Sequence, residues 1–201
     1  MNSEQINFSQ GLQDDGPKIT FLEAFFGMIA NPQKTFQDLY NEDTFTIIVY
    51  GALAVFLSNL GKLASQDISI LSIIGTEIIG FMSWFFVGLF IIFFSTVFKT
   101  PHNNLGRLLG FTGLSSIPYI LLAPVNLLSN FYPSLQYFFQ ILISVWCFIL
   151  FWIALARSFQ LEAWRVLLMA IIPFLLGIFL FTFLLANIAG FLFSGLFMKP
   201  Y

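Results

Sequence analysis

Five long apolar stretches leave this chain few ways to fold. Thr44–Gly61, Ile68–Phe98, Leu108–Leu128, Ser134–Ala156 and Val166–Phe197 are apolar nearly throughout. Each can cross a hydrocarbon core, which needs about 20 residues. A segment in lipid must satisfy its own backbone hydrogen bonds, so each stretch reads as a helix. Charged residues make up only 9% of the chain, against about a quarter in a soluble domain. The expected fold is therefore an all-α integral membrane bundle of five transmembrane helices, preceded by amphipathic helices at the interface. The second and fifth stretches exceed a single crossing and can tilt or run past the interface. The firm part of the second is Ile78–Phe98, which places Glu77 at the outer edge of its span; a start at Ile68 would carry Glu77 deeper, as a possible ion or proton site.

Residues 1–16 are rich in Gln, Asn, Ser and Asp and read as a disordered tail. The first 18 residues have no apolar core and so no secretory signal peptide is expected. Residues 17–43 read as amphipathic helices at the interface. Pro17 suits a first helical position, and Ile19, Phe21, Leu22, Phe25, Phe26 and Ile29 fall on one side, opposite Thr20, Glu23, Ala24 and Gly27. Such a face can lie in the interface or pack on the protein's own loops. Asn31 then serves as N-cap and Pro32 as first turn of a second short helix, whose stripe is Phe36, Leu39 and Tyr40. Residues 44–201 form the membrane domain.

The polar turn Lys99–Asn104 is almost the only polar ground between two long apolar runs. Gly106, Gly110 and Gly113 follow it at spacings of four and three, on one helix face, where a second helix can approach closely. Pro118 removes a backbone hydrogen bond and predicts a kink near Leu114. Ala186, Gly190 and Ser194 form a weaker ladder of the same kind in the fifth stretch.

Catalytic chemistry finds little to work with. The single histidine, His102, sits in a loop with no ligand-spaced neighbour and reads as solvated. The single cysteine, Cys147, excludes an intrachain disulfide and reads as a small buried hydrophobe. No phosphate loop, nucleophile elbow or two-histidine zinc helix is present, so no enzyme activity and no cofactor or metal is expected. A net charge of −2 without a basic patch excludes nucleic acid as a partner. The intramembrane polar residues Glu77, Asn126 and Asn187 are too few to line an aqueous path, and interhelical hydrogen bonding suits both asparagines.

Five crossings put the termini on opposite sides. With the N-terminus inside, Lys34, Lys99, Arg107, Arg157 and Arg165 lie inside and Lys62 and Lys199 outside, five against two. Lys18 lies too far from the first span to count.

Several features together resemble the Yip1 domain family, in its bacterial form. Asn31-Pro32-Gln33-Lys34-Thr35-Phe36 is similar to the Asn/Arg-Pro-x-x-Thr-Phe segment that opens bacterial members. Gly113-Leu114-Ser115-Ser116-Ile117-Pro118 is similar to the family's Gly-Tyr-x-x-x-Pro element, with Leu114 in place of the aromatic. Leu155-Ala156-Arg157 and Ala163-Trp164-Arg165 resemble the loop between spans four and five. Asp38-Leu39-Tyr40 matches only half of the eukaryotic Asp-Leu-Tyr-Gly-Pro, which weakens any transfer of small-GTPase binding. The resemblance implies a non-enzymatic protein of a bacterial inner membrane that organises membranes or recruits partner proteins, through the bilayer, other membrane proteins or self-association. A small permease or channel subunit is the alternative.

Overall fold

The computed structural model describes residues 19–63, 69–98, 104–128, 132–162 and 164–166, with 100, 168, 175, 182 and 183. Residues 1–18, Lys99, residues 101–103 and most of the fifth apolar stretch lie outside them; so, therefore, do Pro17, His102, Ala186, Asn187, Gly190 and Ser194. Among the described residues the protein is all-helical, in the order α1 (Phe21–Ala30), α2 (Pro32–Leu39), α3 (Thr44–Leu63), α4 (Ile70–Val97), α5 (Leu105–Leu114), a 3-10 turn (Ile117–Leu121), α6 (Leu122–Leu128) and α7 (Pro133–Phe159). Four spans there are long and apolar enough to cross a membrane: α3, α4, the composite Leu105–Leu128, and Leu135–Phe159 within α7.

The composite third span is the centre of the bundle. Of an 18-residue apolar window within it, 67% is buried against the rest of the protein, whereas only 11% of the corresponding window of α4 is. α4 presents Ile78, Ile79, Phe86 and Phe93 outward, as a helix facing hydrocarbon does. α3 and the third span run parallel, pairing Thr44 with Gly106 at one end and Gly61 with Tyr119 at the other. α4 runs antiparallel to both, since Gly80 meets Asn59 of α3 while Gly88 meets Leu109 of α5.

The kink expected near Leu114 is a full break. Pro118 has no N–H to offer the Leu114 carbonyl, so α5 ends at Leu114 and the chain tightens into the 3-10 turn. Hydroxyls take up the backbone carbonyls around the break: Thr112 Oγ1 donates to Leu108 O at 2.8 Å, Ser115 Oγ to Thr112 O at 2.6 Å and Ser116 Oγ to Gly113 O at 2.7 Å. In lipid, that local satisfaction is what makes a broken helix tolerable.

α4 lies within the Ile68–Phe98 stretch and begins upstream of its firm part, Ile78–Phe98. Ser69 and Ser72 form a reciprocal cap that starts the helix at Ile70, two turns before Ile78. Glu77 therefore stands inside the helix, about 10 Å from its first residue at 1.5 Å per residue.

Candidate functional site

At its closest points the third span meets α3 backbone against backbone. A methyl group on Gly113 would stand 2.6 Å from the Gly51 Cα, and one on Gly51 would stand 2.6 Å from the Gly110 carbonyl oxygen. A methyl on Gly110 would likewise meet the Ile47 carbonyl oxygen at 2.6 Å. Gly106 faces Thr44 and Ile48, so all three glycines of the Gly106–Gly110–Gly113 face lie against α3. Near the far end Gly61 sits where a methyl would be 2.8 Å from the Tyr119 carbonyl. Leu109, off that face, fills the notch at Gly88 of α4, and its carbonyl accepts from Trp84 Nε1 at 3.1 Å.

Onto this kernel the first two helices are wedged as a cap. Asn31 Oδ1 accepts from Lys34 N at 3.3 Å and Pro32 opens α2. Thr35 Oγ1 donates back to Asn31 O at 3.0 Å, and Thr35 packs into the notch left by Gly27 of α1. That contact sets the α1–α2 hairpin and aims Phe36 inward, where its ring meets Phe111 edge-on at 5.1 Å. One buried cluster then joins Ala24, Met28, Phe36 and Leu39 of the cap to Ile47, Ala54, Phe111, Leu114, Ile117 and Ala154 of the spans. Tyr50 of α3 holds the start of α1, its hydroxyl donating to Ile19 O at 2.8 Å, while Glu42 accepts from Ile19 N at 3.0 Å.

The apolar arc of α1 is consequently split. Ala24, assigned to the polar side from the sequence, is buried because a small residue allows close approach, and Met28 is buried with it. Leu22, at 64% exposure, and Phe26, at 65%, point away from the protein. α1 begins at Phe21, later than Pro17 suggested, because Thr20 and Glu23 cap each other there. Thr20 N and Oγ1 donate to Glu23 Oε2 at 2.8 and 2.9 Å, and they hold the Glu23 carboxyl below its ordinary range.

At the opposite end Glu77 does not stand alone. Asn59 Nδ2 donates to Glu77 Oε2 at 3.3 Å, and Lys62 Nζ donates to Asn59 Oδ1 at 3.3 Å. Lys62 also lies over the Tyr119 ring, 4.8 Å from its centre. Asn59 is buried and seated against Gly80, so the cluster ties α3, α4 and the 3-10 turn together. Glu77 Oε1 is buried without a hydrogen-bond partner among the described residues. Asn59 and Lys62 escaped the sequence reading because Lys62 looked like a loop cation; its place three residues after Asn59 in one helix was the available signal. Asn126 is a separate contact, accepting from Gln136 Nε2 of α7 at 3.2 Å.

Two cavities are lined by described residues. An open cleft of about 710 Å³ lies between α2 and the end of α7. A smaller one, about 360 Å³, lies between the broken third span and α7, where Thr112, Ser115 and Ser116 already donate to their own backbone. Cys147 is a buried free thiol beside it. No group of three or more His, Cys, Asp or Glu is placed to hold a metal among the described residues.

A family model described as the Yip1 domain matches residues 26–184, a span that takes in most of the cap and the entire glycine-packed kernel. Neither a curated protein nor a solved structure matches the chain.

Proposed function

This chain belongs to the Yip1 domain family, and from that premise we propose that it is a non-enzymatic multi-pass membrane protein that recruits partner proteins or organises the bilayer through its α1–α2 cap. The family is generally a non-enzymatic one of membrane proteins. One observation carries the reading: the cap is joined to the spans by a fully buried Phe36 while leaving Leu22 and Phe26 exposed. A helix packed only for stability has no use for such a face, and one that meets a second surface does. The charge bias across the loops supports a cytoplasmic N-terminus with the C-terminus opposite, and the resemblance to bacterial members of the family supports a bacterial plasma membrane.

A photo-crosslinking residue at position 26 tests this in intact cells, with position 28 as the buried comparison. The expected outcome is a discrete protein adduct from Phe26 and none from Met28. Equal adducts, or none from either, would count against the reading. Labelling of single cysteines at Asn103 and Lys199 tests the orientation; reaction of Asn103 from outside would overturn it.

The Glu77–Asn59–Lys62 cluster favours a second reading, a small permease or channel subunit, because ionisable groups within a span commonly mark an ion path. Proteoliposomes holding the protein would then carry a cation or proton flux that Glu77→Gln abolishes. No flux above empty vesicles is the outcome the recruiting role expects.

A further inference from the structure

We propose that the cleft between α2 and the end of α7 is a binding site for an anionic membrane phospholipid, with Arg157 receiving the headgroup phosphate. The cleft has two zones along α7. Trp152, Ile153 and Ala156 belong to the last apolar turns of the span and make an apolar wall, while Leu161 lines the cleft past the end of α7. Beyond them Gln33, Gln37 and Asn41 from the α2 side face Arg157 and Gln160 from the α7 side. Along α7 the lining changes from apolar to polar at Arg157, in the helix's last turn. That profile matches an amphipathic molecule lying along the membrane normal better than it matches an extended soluble peptide, whose polarity repeats at every residue. A volume of about 710 Å³ is also within the range of small-molecule sites, about 300–1,000 Å³.

The charge left in the cleft is positive. Glu162, its one acid among the described residues, accepts from Trp164 Nε1 at 2.6 Å and is paired with Arg165 at 3.9 Å. Elsewhere at this end, Glu42 accepts from Ile19 N and Asp43 from Phe45 N, and Asp38 lies outside the lining. Arg157 is exposed and carries no ion pair among the described residues. Behind the wall, Arg107 stacks 4.0 Å over the Tyr40 ring, with its Nε buried and unpartnered among the described residues. Gln160, which closes α7 in the left-handed region (φ 51°), is held there by its N–H to Ala156 O and turns the chain over the cleft's rim. Gln and Asn amides can both donate to phosphate and accept from headgroup hydroxyls, and a guanidinium binds a phosphate through parallel charge-assisted hydrogen bonds.

The test is a thermal-shift titration of the full-length protein in mild detergent. The probes are phosphatidylglycerol, phosphatidylcholine, free glycerol 1-phosphate and a short oligo-glutamate peptide. Phosphatidylglycerol is expected to raise the melting temperature saturably, phosphatidylcholine more weakly, and the two soluble anions not at all. Arg157→Gln should weaken phosphatidylglycerol by about tenfold or more, the worth of a charge-assisted hydrogen bond. Lys34→Gln, exposed at the same end but outside the lining, should leave it unchanged. Should Arg157→Gln fail to fold, Gln37→Leu at the exposed rim reads the same loss. Wild-type affinity in both cleft variants, or equal weakening by Lys34→Gln, would overturn the site. Stabilisation by glycerol phosphate alone would reassign it to a soluble phosphate, and by the peptide alone to a protein partner; either overturns the lipid.

Discussion

Gly113→Ala and Gly75→Ala are the same chemical change on two helices, and the structure separates them sharply. Around Gly75 nothing lies within 4 Å of the added methyl, whereas at Gly113 the Gly51 Cα stands 2.6 Å away. Backbone cannot rotate out of the way as a side-chain tip can. Ordinary carbon contacts begin near 3.5 Å, so the two helices must part by about 1 Å at the crossing. Overpacking of a core costs about 1–3 kcal/mol, and backbone against backbone belongs at the upper end. Ala in place of Gly returns about 1 kcal/mol of helix propensity at either site. Gly113→Ala should therefore lose about 2 kcal/mol and Gly75→Ala gain up to about 1. At roughly 2–4 °C per kcal/mol for a chain this size, the two melting temperatures should differ by about 6–12 °C. Fluorescence-detected thermal denaturation in one detergent measures both. Hydropathy treats the substitutions alike, so equal melting temperatures would refute close packing of α3 on the third span.

Asn59→Ala should cost about 2 kcal/mol, because it strips Glu77 Oε2 and Lys62 Nζ of their shared partner. Chemical or thermal denaturation of Asn59→Ala beside the exposed Phe56→Ala would show it, and equal stability of the two would count against the tie. The Thr20–Glu23 cap should lose strength on acidification. Glu23 titrates below its ordinary range in the folded protein, so its contribution is present above the ordinary Glu pKa and disappears as the pH falls through the lowered one. Replacing it by Gln should remove that acid-limb decline in helix α1 content, measured by circular dichroism of the full chain, and an unchanged decline would assign it to another carboxyl.

How much of this was legible in the sequence varied with the range of the interaction. Local signals carried well: Asn31-Pro32 opens α2, and the spacing of Gly106, Gly110 and Gly113 puts them on the one face that α3 covers. Hydropathy located the four described spans, but the firm part of the second misses the start of α4, since the Ser69–Ser72 cap lies upstream of the most apolar run. That shift moved Glu77 inside the helix. Its partner Asn59 is 18 residues away on another span, and no periodicity connects the two. Periodicity also misjudged α1, because Ala24 is buried and Gly27 receives Thr35 for their small size, and hydropathy does not register a close approach.

The account rests on the cap being part of the membrane core, and amide hydrogen exchange of the full-length protein in lipid nanodiscs tests that most directly. Phe36 and Leu39 are fully buried against the spans, so the amides of Phe21–Leu39 should be protected to within about tenfold of those in α3. Phe36→Ala removes a buried ring, worth about 3–5 kcal/mol, and should speed exchange throughout α1 and α2 by about a hundredfold or more while sparing α4. Exchange of Phe21–Leu39 at the rate of an unstructured peptide in the unmodified protein would contradict the docked cap, and with it the face that α1 presents to a partner.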